Sequence, residues 1–291
     1  MAQLYLTLPS NSSARYYDNN TLTRFTTRLL KPLSLTGDWE IGLSEIAFTK
    51  SWYNLQKTDE PNLYFSCSEC ARGPRANVPD VTAENDRVIF HISIPPGCYE
   101  TAEDLVDKIN GIVQHRLKLL TDQLGVGPHR NEATNHLKLK YNPLSRRISV
   151  TLYKKQAVMF SDSLSRLLGF TERQMPLMHV GSEEGSVFYS KRHVDMNIGL
   201  EHLFVYTDVA ESVPIGDTCG PLLRVVDAEG KHGHTVHRIY DRPRYIPLQK
   251  KHFDSIEILI TSDTGEQVPF EYGKVVVTLH LRQAKQTYFL Q

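Results

Sequence analysis

Two cysteines lie three residues apart in a polar stretch of the chain. Cys67-Ser68-Glu69-Cys70 has the spacing of half a zinc ribbon, in which two thiolates bind one tetrahedral ion. A closed structural site needs two further ligands, and the nearest candidates are His91 and Cys98, because no second C-x-x-C exists. The sequence favours two reduced loop thiols and leaves a metal at Cys67 and Cys70 open.

A histidine cluster in the second half of the chain is another possible metal site. If it lies on a strand, His232 and His234 face the same side and could share an ion, while His237 points away. No nearby carboxylate completes the site, so we expect a solvent-facing loop and strand edge. A metal hydrolase on a β scaffold, using His232, His234 and a distant acid, stays open.

Two acidic pairs could act as paired catalytic carboxylates. Glu103-Asp104 falls at a predicted helix N-terminus, where acids favour the helix dipole, and Glu183-Glu184 falls in a Gly/Ser-rich loop. The chain has no G-x-S-x-G elbow, no phosphate-binding glycine loop and no H-E-x-x-H. We therefore predict no catalytic residues, no cofactor and no metal.

Alternation of apolar and polar residues is the dominant pattern along the chain, and it predicts strands. It is clearest near the C-terminus, where Val275, Val277, Leu279 and Leu281 share one face. In residues 39–48 the apolar residues change phase by one, which predicts a β-bulge near Ser44-Glu45; further strands are expected at 2–8, 25–29, 203–209, 222–228, 234–240 and 255–261.

The middle of the chain mixes helix with strand. Thr101 and Asp104 form a capping pattern before an apolar stripe of Leu105, Ile109 and Ile112, which predicts a helix of about four to five turns. A strand is expected at 88–94, a hairpin over 137–152, and a short helix at 163–168 that ends at Gly169. Residues 56–86 are polar and read as a long loop or linker.

These elements predict a mainly β protein: a single jelly-roll sandwich with an inserted α+β domain. We expect the sandwich to be discontinuous, formed by residues 1–86 and 183–291, and the inserted domain to occupy residues 87–182. At 291 residues, the chain is long enough to bury a substantial core without disulfides.

Composition argues against several classes of function. Lys+Arg and Asp+Glu are both 33, so the net charge is zero and no direct nucleic-acid contact is expected. No segment approaches the roughly 20 apolar residues that span a bilayer, and the start does not resemble a secretory signal. The 4 cysteines are therefore expected to be reduced, in a cytosolic or nuclear setting.

A series of strand and turn motifs resembles the minor capsid (penton) proteins of Maverick/Polinton-type DNA transposons and the related adintoviruses. The resemblance covers nearly the whole chain and is weakest at 56–86. In order, its motifs are LPSNSS, YYDNNTLTRFTTRL, LTGDWEIGLSEIAF, SWYNL, PPGCYETAEDLVDKIN, LSRLLGF, LFVYTDV, PLLRVV, RYIPL and FDSIEILITSDTGEQVPFEYGKVVVTLHLR.

The resemblance implies a structural subunit and not an enzyme. It implies a single jelly roll that forms homopentamers at the fivefold vertices of an icosahedral shell, beside a double-jelly-roll major capsid protein. It also implies a place in the virion after assembly inside the host cell, in the nucleus, with the inserted domain as an outward-facing decoration. The chain has no Arg-Gly-Asp, so no integrin-type receptor role follows.

Ring assembly requires one flank of a subunit to match the opposite flank of its neighbour, and such interfaces favour aromatic and arginine side chains. Suitable residues at expected loop positions are Tyr16, Tyr17, Arg242, Arg244 and Tyr245. Trp52 and Tyr53 have the same chemistry, but we expect them to cap the core.

A carbohydrate-binding β-sandwich is the alternative function from another class. Such a module uses exposed aromatic residues on a sheet face or loop, and glycan binding by a soluble monomer would favour it.

Overall fold

The computed structural model describes residues 2–56, 62–67, 81–84, 87–123, 137–152, 156–170 and 185–284. Two helices occur in these residues, Ala102–Gln123 (α1) and Asp162–Leu168 (α2). The strands are Gln3–Pro9 (β1), Arg24–Ser34 (β2), Trp39–Thr49 (β3), Asn62–Cys67 (β4), Val81–Glu84 (β5), Arg87–Ser93 (β6), Lys138–Asn142 (β7), Arg147–Leu152 (β8), Gln156–Phe160 (β9), Ser186–Tyr189 (β10), His202–Thr207 (β11), Val213–Ile215 (β12), Thr218–Gly220 (β13), Leu222–Asp227 (β14), Thr235–Ile239 (β15), Ile246–Pro247 (β16), His252–Thr261 (β17) and Val275–Gln283 (β18).

The chain forms two compact units. The jelly-roll unit comprises Met1–Trp52 and Gly199–Gln291, and the inserted unit comprises Tyr53–Ile198. These boundaries differ from the predicted divisions after residues 86 and 182. The reason is strand pairing: β4 pairs with β6 and β9, and β10 pairs with β8, so residues on both sides of the predicted insert belong to its sheets.

The polar stretch 56–86, predicted as a loop, contains two strands in its described part. β4 is the third strand of a four-stranded sheet with the order β5-β6-β4-β9. Leu63 and Phe65 of β4 are fully buried, and they alternate with half-buried residues. The prediction was wrong because β4 is short and lies among prolines, glycines and charges, which hid its alternation.

The jelly-roll unit contains two main antiparallel sheets, one of five strands and one of four. The first sheet has the order β1-β18-β3-β15, with β16 also paired to β3, and the second has the order β14-β11-β17-β2. The eight main strands can be numbered 1 to 8 in chain order, as β1, β2, β3, β11, β14, β15, β17 and β18. The strand orders of the two sheets are then 1-8-3-6 and 5-4-7-2. This is the strand order of a jelly roll, so the predicted fold class is confirmed. The inserted unit enters between the third and fourth strands.

The core of the jelly-roll unit follows the alternation in the sequence. In β18, Val275, Val277, Leu279 and Leu281 are all fully buried, as predicted from their shared face. The predicted bulge in β3 is also confirmed: Thr278 pairs with Glu45 and Leu279 with Leu43, so one extra residue lies in β3. The bulge lets apolar side chains before and after the change of phase face the same core.

The inserted unit packs two sheets and two helices around a separate apolar core. Thr101 caps α1 as predicted, because its Oγ1 accepts a hydrogen bond from the Asp104 N–H at 3.1 Å. The buried stripe of α1 is Leu105, Ile109 and Val113, with Ile112 only half-buried. α2 ends at Gly169, which adopts the left-handed conformation that glycine favours (φ 80).

The hairpin of β7 and β8 is also as predicted, and its turn is fixed by Asn142, whose Oδ1 accepts bonds from the N–H groups of Leu144 and Ser145. At the outer edge of β7, the side chain of Asn110 from α1 makes the hydrogen bonds that a neighbouring strand would make. Its Nδ2 donates to the Leu139 carbonyl and its Oδ1 accepts from the Leu139 N–H, both at 2.9 Å. Within the described residues, no helix has the length and apolar character to cross a membrane.

Candidate functional site

The jelly-roll unit has two opposite flanks, because β1 and β15 lie at opposite edges of the first sheet and β2 and β14 at opposite edges of the second. We call β1, residues 10–23 and β2 the first flank. We call β14, β15 and residues 240–245 the second flank. The candidate residues Tyr16 and Tyr17 lie on the first, and the loop that holds Arg242, Arg244 and Tyr245 follows β15 on the second.

On the first flank, a loop closes the outer edge of β2. Asn20 exchanges two hydrogen bonds with the backbone of Thr26, both at 2.9 Å, and Ser13 Oγ accepts from the Arg28 N–H at 2.9 Å. Thr21 adds a backbone bond to the Arg24 carbonyl at 2.8 Å. The part of this edge from Arg24 to Arg28 is therefore not available for pairing with another strand.

The two adjacent tyrosines of this loop have different environments. Tyr16 is 66% exposed and lies under the guanidinium group of Arg28, 4.8 Å from ring centroid to Cζ. Tyr17 is half-buried and lines a cavity between the loop, β2 and β17. Tyr16 therefore offers an exposed aromatic anchor, whereas Tyr17 faces a cavity of its own subunit.

On the second flank, exposed apolar residues lie on the two edge strands. Val225 of β14 is 40% exposed and Ile239 of β15 is 60% exposed. The guanidinium group of Arg224 stacks on the ring of Tyr240 at 3.6 Å, which links β14 to the residue after β15. Burial raises the pKa of the Tyr240 phenol, and the Arg224 charge opposes this shift.

The loop of residues 240–245 lies across the outer face of β3. A Cβ atom at Gly42 would be 2.8 Å from the Arg244 carbonyl oxygen, so only glycine allows this approach. Arg242 and Arg244 are exposed and free to meet a partner. Tyr245 is half-buried, and its hydroxyl group is 2.8 Å from His280 Nδ1, so its polar group is already used inside the subunit.

A polar cluster lies around His280 on the outer face of the first sheet. The His280 ring stacks on Tyr5 of the neighbouring β1, with centroids 4.3 Å apart and planes at 6°. Arg282 stacks on Tyr245 at 3.4 Å and pairs with Glu40 at 2.9 Å. Of these residues, the sequence prediction named Tyr245 alone. Tyr5, His280 and Arg282 could have been found from the sequence, because they lie on the polar faces of the first and last strands.

His280 itself is only 6% exposed. Its Nδ1 meets Tyr245, but its Nε2 is buried with no hydrogen-bond partner among the described residues. Burial lowers the pKa of His280 below the usual 6.5, and the Arg282 charge lowers it further. Both effects disfavour the imidazolium ion and favour the neutral form of His280.

The candidate metal ligands named from the sequence are not grouped into a metal site in the part of the chain that the structure describes. The rings of His91 and Tyr64 pack edge to face with centroids 4.9 Å apart, Cys98 is half-buried, and Cys70 lies outside the described residues. His232 and His234 lie in a turn before β15 and not on a strand, because the chain reverses at Gly233 (φ 78). In the described part of the chain, no three His, Cys, Asp or Glu side chains are grouped to hold an ion.

Two other sequence expectations concern residues outside the flanks. Trp52 is buried and packs on Phe48 and Phe270, so it belongs to the core as expected. Glu103 and Asp104 lie in the first turn of α1, and Asp104 also accepts a hydrogen bond from Thr101 Oγ1. Glu183 and Glu184 lie outside the described residues.

No protein-family model and no curated protein matches the chain. Among solved structures, it is similar to the mavirus penton protein, with 10% identity and a TM-score of 0.49 over 97% of this chain and 100% of that one. It is also similar to a chain of the Sputnik virophage structure, with 10% identity and a TM-score of 0.44 over 97% and 98% of the two chains. The first of these is a penton protein, the class that the sequence resembles.

Proposed function

We propose that this chain is a structural subunit of an icosahedral capsid, that it forms homopentamers at the fivefold vertices, and that it is not an enzyme. The observation that carries the proposal is the jelly-roll strand order, 1-8-3-6 and 5-4-7-2, in a chain that resembles penton proteins along nearly its whole length. Jelly rolls are a recurrent architecture of viral capsid domains.

The two flanks support ring assembly because they differ in chemistry. A fivefold ring has heterologous contacts, so one flank of each subunit meets the opposite flank of the next. The first flank presents Tyr16 under Arg28, and the second presents Val225 and Ile239 with the nearby Arg242 and Arg244. The first flank thus offers an aromatic ring with an arginine, and the second offers apolar edge residues beside two arginines. Aromatic and arginine side chains are enriched at such interfaces, and the centre of an interface is apolar.

The proposed partners are other copies of this chain and a double-jelly-roll major capsid protein. We propose that the protein is part of the virion, is assembled in the host nucleus and contacts neither membrane nor nucleic acid directly. The balanced charge of the chain, 33 basic and 33 acidic residues, supports the last point, because phosphate binding favours a basic excess.

The test is the mass in solution, by light scattering behind a sizing column over a concentration series. We expect a species of five times 33.2 kDa. Reversing the charge of Arg242 and Arg244 to Glu should shift that species towards the monomer. The control is Lys274→Glu, an exposed site beside β18, which lies between other strands of the first sheet. A strict monomer that also fails to co-assemble with a major capsid protein would contradict the proposal.

A further inference from the structure

A cavity of about 310 Å³ lies on the first flank, beside the edge strand β2. Its walls come from four separate parts of the jelly-roll unit: Tyr17 and Asn19 from the loop, Arg24 from β2, Glu257 from β17, and Gln267. It is at the lower end of the size range of small-molecule sites, which is about 300–1,000 Å³.

The cavity is preformed, because hydrogen bonds fix the loop that makes its outer wall. The Asn20 side chain is bound twice to Thr26, and Thr21 Oγ1 accepts from the Arg24 N–H at 3.0 Å. The Thr23 hydroxyl donates to Gln267 Oε1 at 3.2 Å, which orients the Gln267 amide. A ligand therefore does not need to order the site on binding, and this lowers the entropic cost.

Several polar groups of the walls remain available. Arg24 Nε pairs with Glu257 Oε2 at 3.2 Å, which leaves the terminal guanidinium nitrogens and the second carboxylate oxygen for a ligand. Gln267 keeps its amide nitrogen as a donor. Within the described residues, the side chains of Tyr17 and Asn19 make no hydrogen bond, and Tyr17 adds a half-buried aromatic face.

We propose that this cavity binds a neutral pyranose sugar. Each sugar hydroxyl both donates and accepts, and the cavity offers a guanidinium and an amide as donors beside a carboxylate as acceptor. The faces of Arg24 and Glu257 carry opposite charges that cancel, so the site favours an uncharged ligand. The apolar C–H face of a pyranose matches the ring of Tyr17.

The proposed sugar site belongs to the subunit before ring assembly, because all its walls lie in one subunit and the first flank meets a neighbour in the proposed ring. Its test is saturation-transfer NMR on the full chain with the methyl pyranosides of glucose, galactose, mannose and N-acetylglucosamine. We expect transfer to at least one of the four. Tyr17→Ala should abolish it, and Glu257→Gln, which keeps the volume, should weaken binding about tenfold, or about 1.4 kcal/mol.

The matched control is Tyr272→Ala, because Tyr272 is an exposed tyrosine of the same unit and does not line the cavity. It should leave the transfer unchanged. If Tyr17→Ala does not fold, Gln267→Ala gives the same test from another wall. Absence of transfer to all four sugars would overturn the inference, and so would transfer that survives Tyr17→Ala and Glu257→Gln or binding of acidic sugars only.

Discussion

Each unit of this protein closes one edge strand with an asparagine side chain instead of a further strand. In the jelly-roll unit, Asn20 exchanges two bonds of 2.9 Å with Thr26 of β2. In the inserted unit, Asn110 makes the same pair of 2.9 Å bonds with Leu139 of β7. A primary amide can do this because, like a peptide group, it has a donor and an acceptor side by side.

The two closures differ in where the asparagine comes from and in what surrounds it. Asn20 is six residues from Thr26, in the loop that leads into the same strand, whereas Asn110 is 29 residues from Leu139, on a helix. Thr26 is half-buried, but Leu139 is fully buried. The same two bonds therefore hold a local loop in one unit and join a helix to a sheet in the other.

The largest effect is expected at Asn110. In Asn110→Ala, the Leu139 N–H and carbonyl group lose their partners in a place that water reaches poorly. We expect the free energy of unfolding to fall by about 2–4 kcal/mol, measured by urea denaturation. The control is Gln114→Ala on the exposed face of α1, which should change stability by less than about 0.5 kcal/mol.

A smaller effect is expected at Asn20. Water can replace the lost bonds to the half-buried Thr26, so Asn20→Ala should cost about 1–2 kcal/mol in the same denaturation experiment. Asn19→Ala, at the exposed neighbouring residue, is the control. If Asn20→Ala destabilises the protein as much as Asn110→Ala, burial is not the cause of the difference between the two closures.

His280 is a third polar side chain to compare with the two asparagines. It is buried, but within the described residues only its Nδ1 has a hydrogen-bond partner, whereas its Nε2 has none. Its pKa is lowered in the folded state, so its contribution to stability is complete above the unfolded value of 6.5 and is lost as the pH falls below it. The groups that face it are Tyr5, Tyr245, Arg282 and, through Arg282, Glu40.

We expect the melting temperature of the wild type to fall more steeply below pH 6.5 than that of His280→Phe. Phenylalanine keeps a ring against Tyr5 and removes the protonation site. Since the two proteins differ only at this residue, the difference between the two pH profiles reports His280. Parallel profiles would show that His280 does not make the folded state sensitive to acid.

The smallest effect is expected at Ser13, whose Oγ accepts one bond from the exposed Arg28 N–H. Ser13→Ala should lower the free energy of unfolding by about 0.5 kcal/mol, because water readily replaces the bond. The series Asn110, Asn20 and Ser13 then runs from buried to exposed. A larger fall in the free energy of unfolding for Ser13→Ala than for Asn20→Ala would contradict this order.

Local patterns predicted the elements that depend on few residues. The Thr101 cap, the Gly169 helix end, the bulge of β3 and the buried face of β18 follow from neighbouring side chains, and all are present. The candidate site was less predictable. Tyr16 and Tyr17 are alike in sequence, but the loop exposes the side chain of Tyr16 and directs that of Tyr17 towards the cavity. Tyr245 forms a hydrogen bond with His280, 35 residues away.

By itself, the sequence determined the mainly β class and the buried face of the clearest strands, because alternation follows from the geometry of a single strand. Only the tertiary structure decided which strands are neighbours. β1 pairs with β18 from the other end of the chain, and β4 joins the inserted unit although the chain around it is polar. The same holds for the unit boundaries, the His280 cluster and the cavity, because each depends on contacts between segments whose separation along the chain leaves no local pattern.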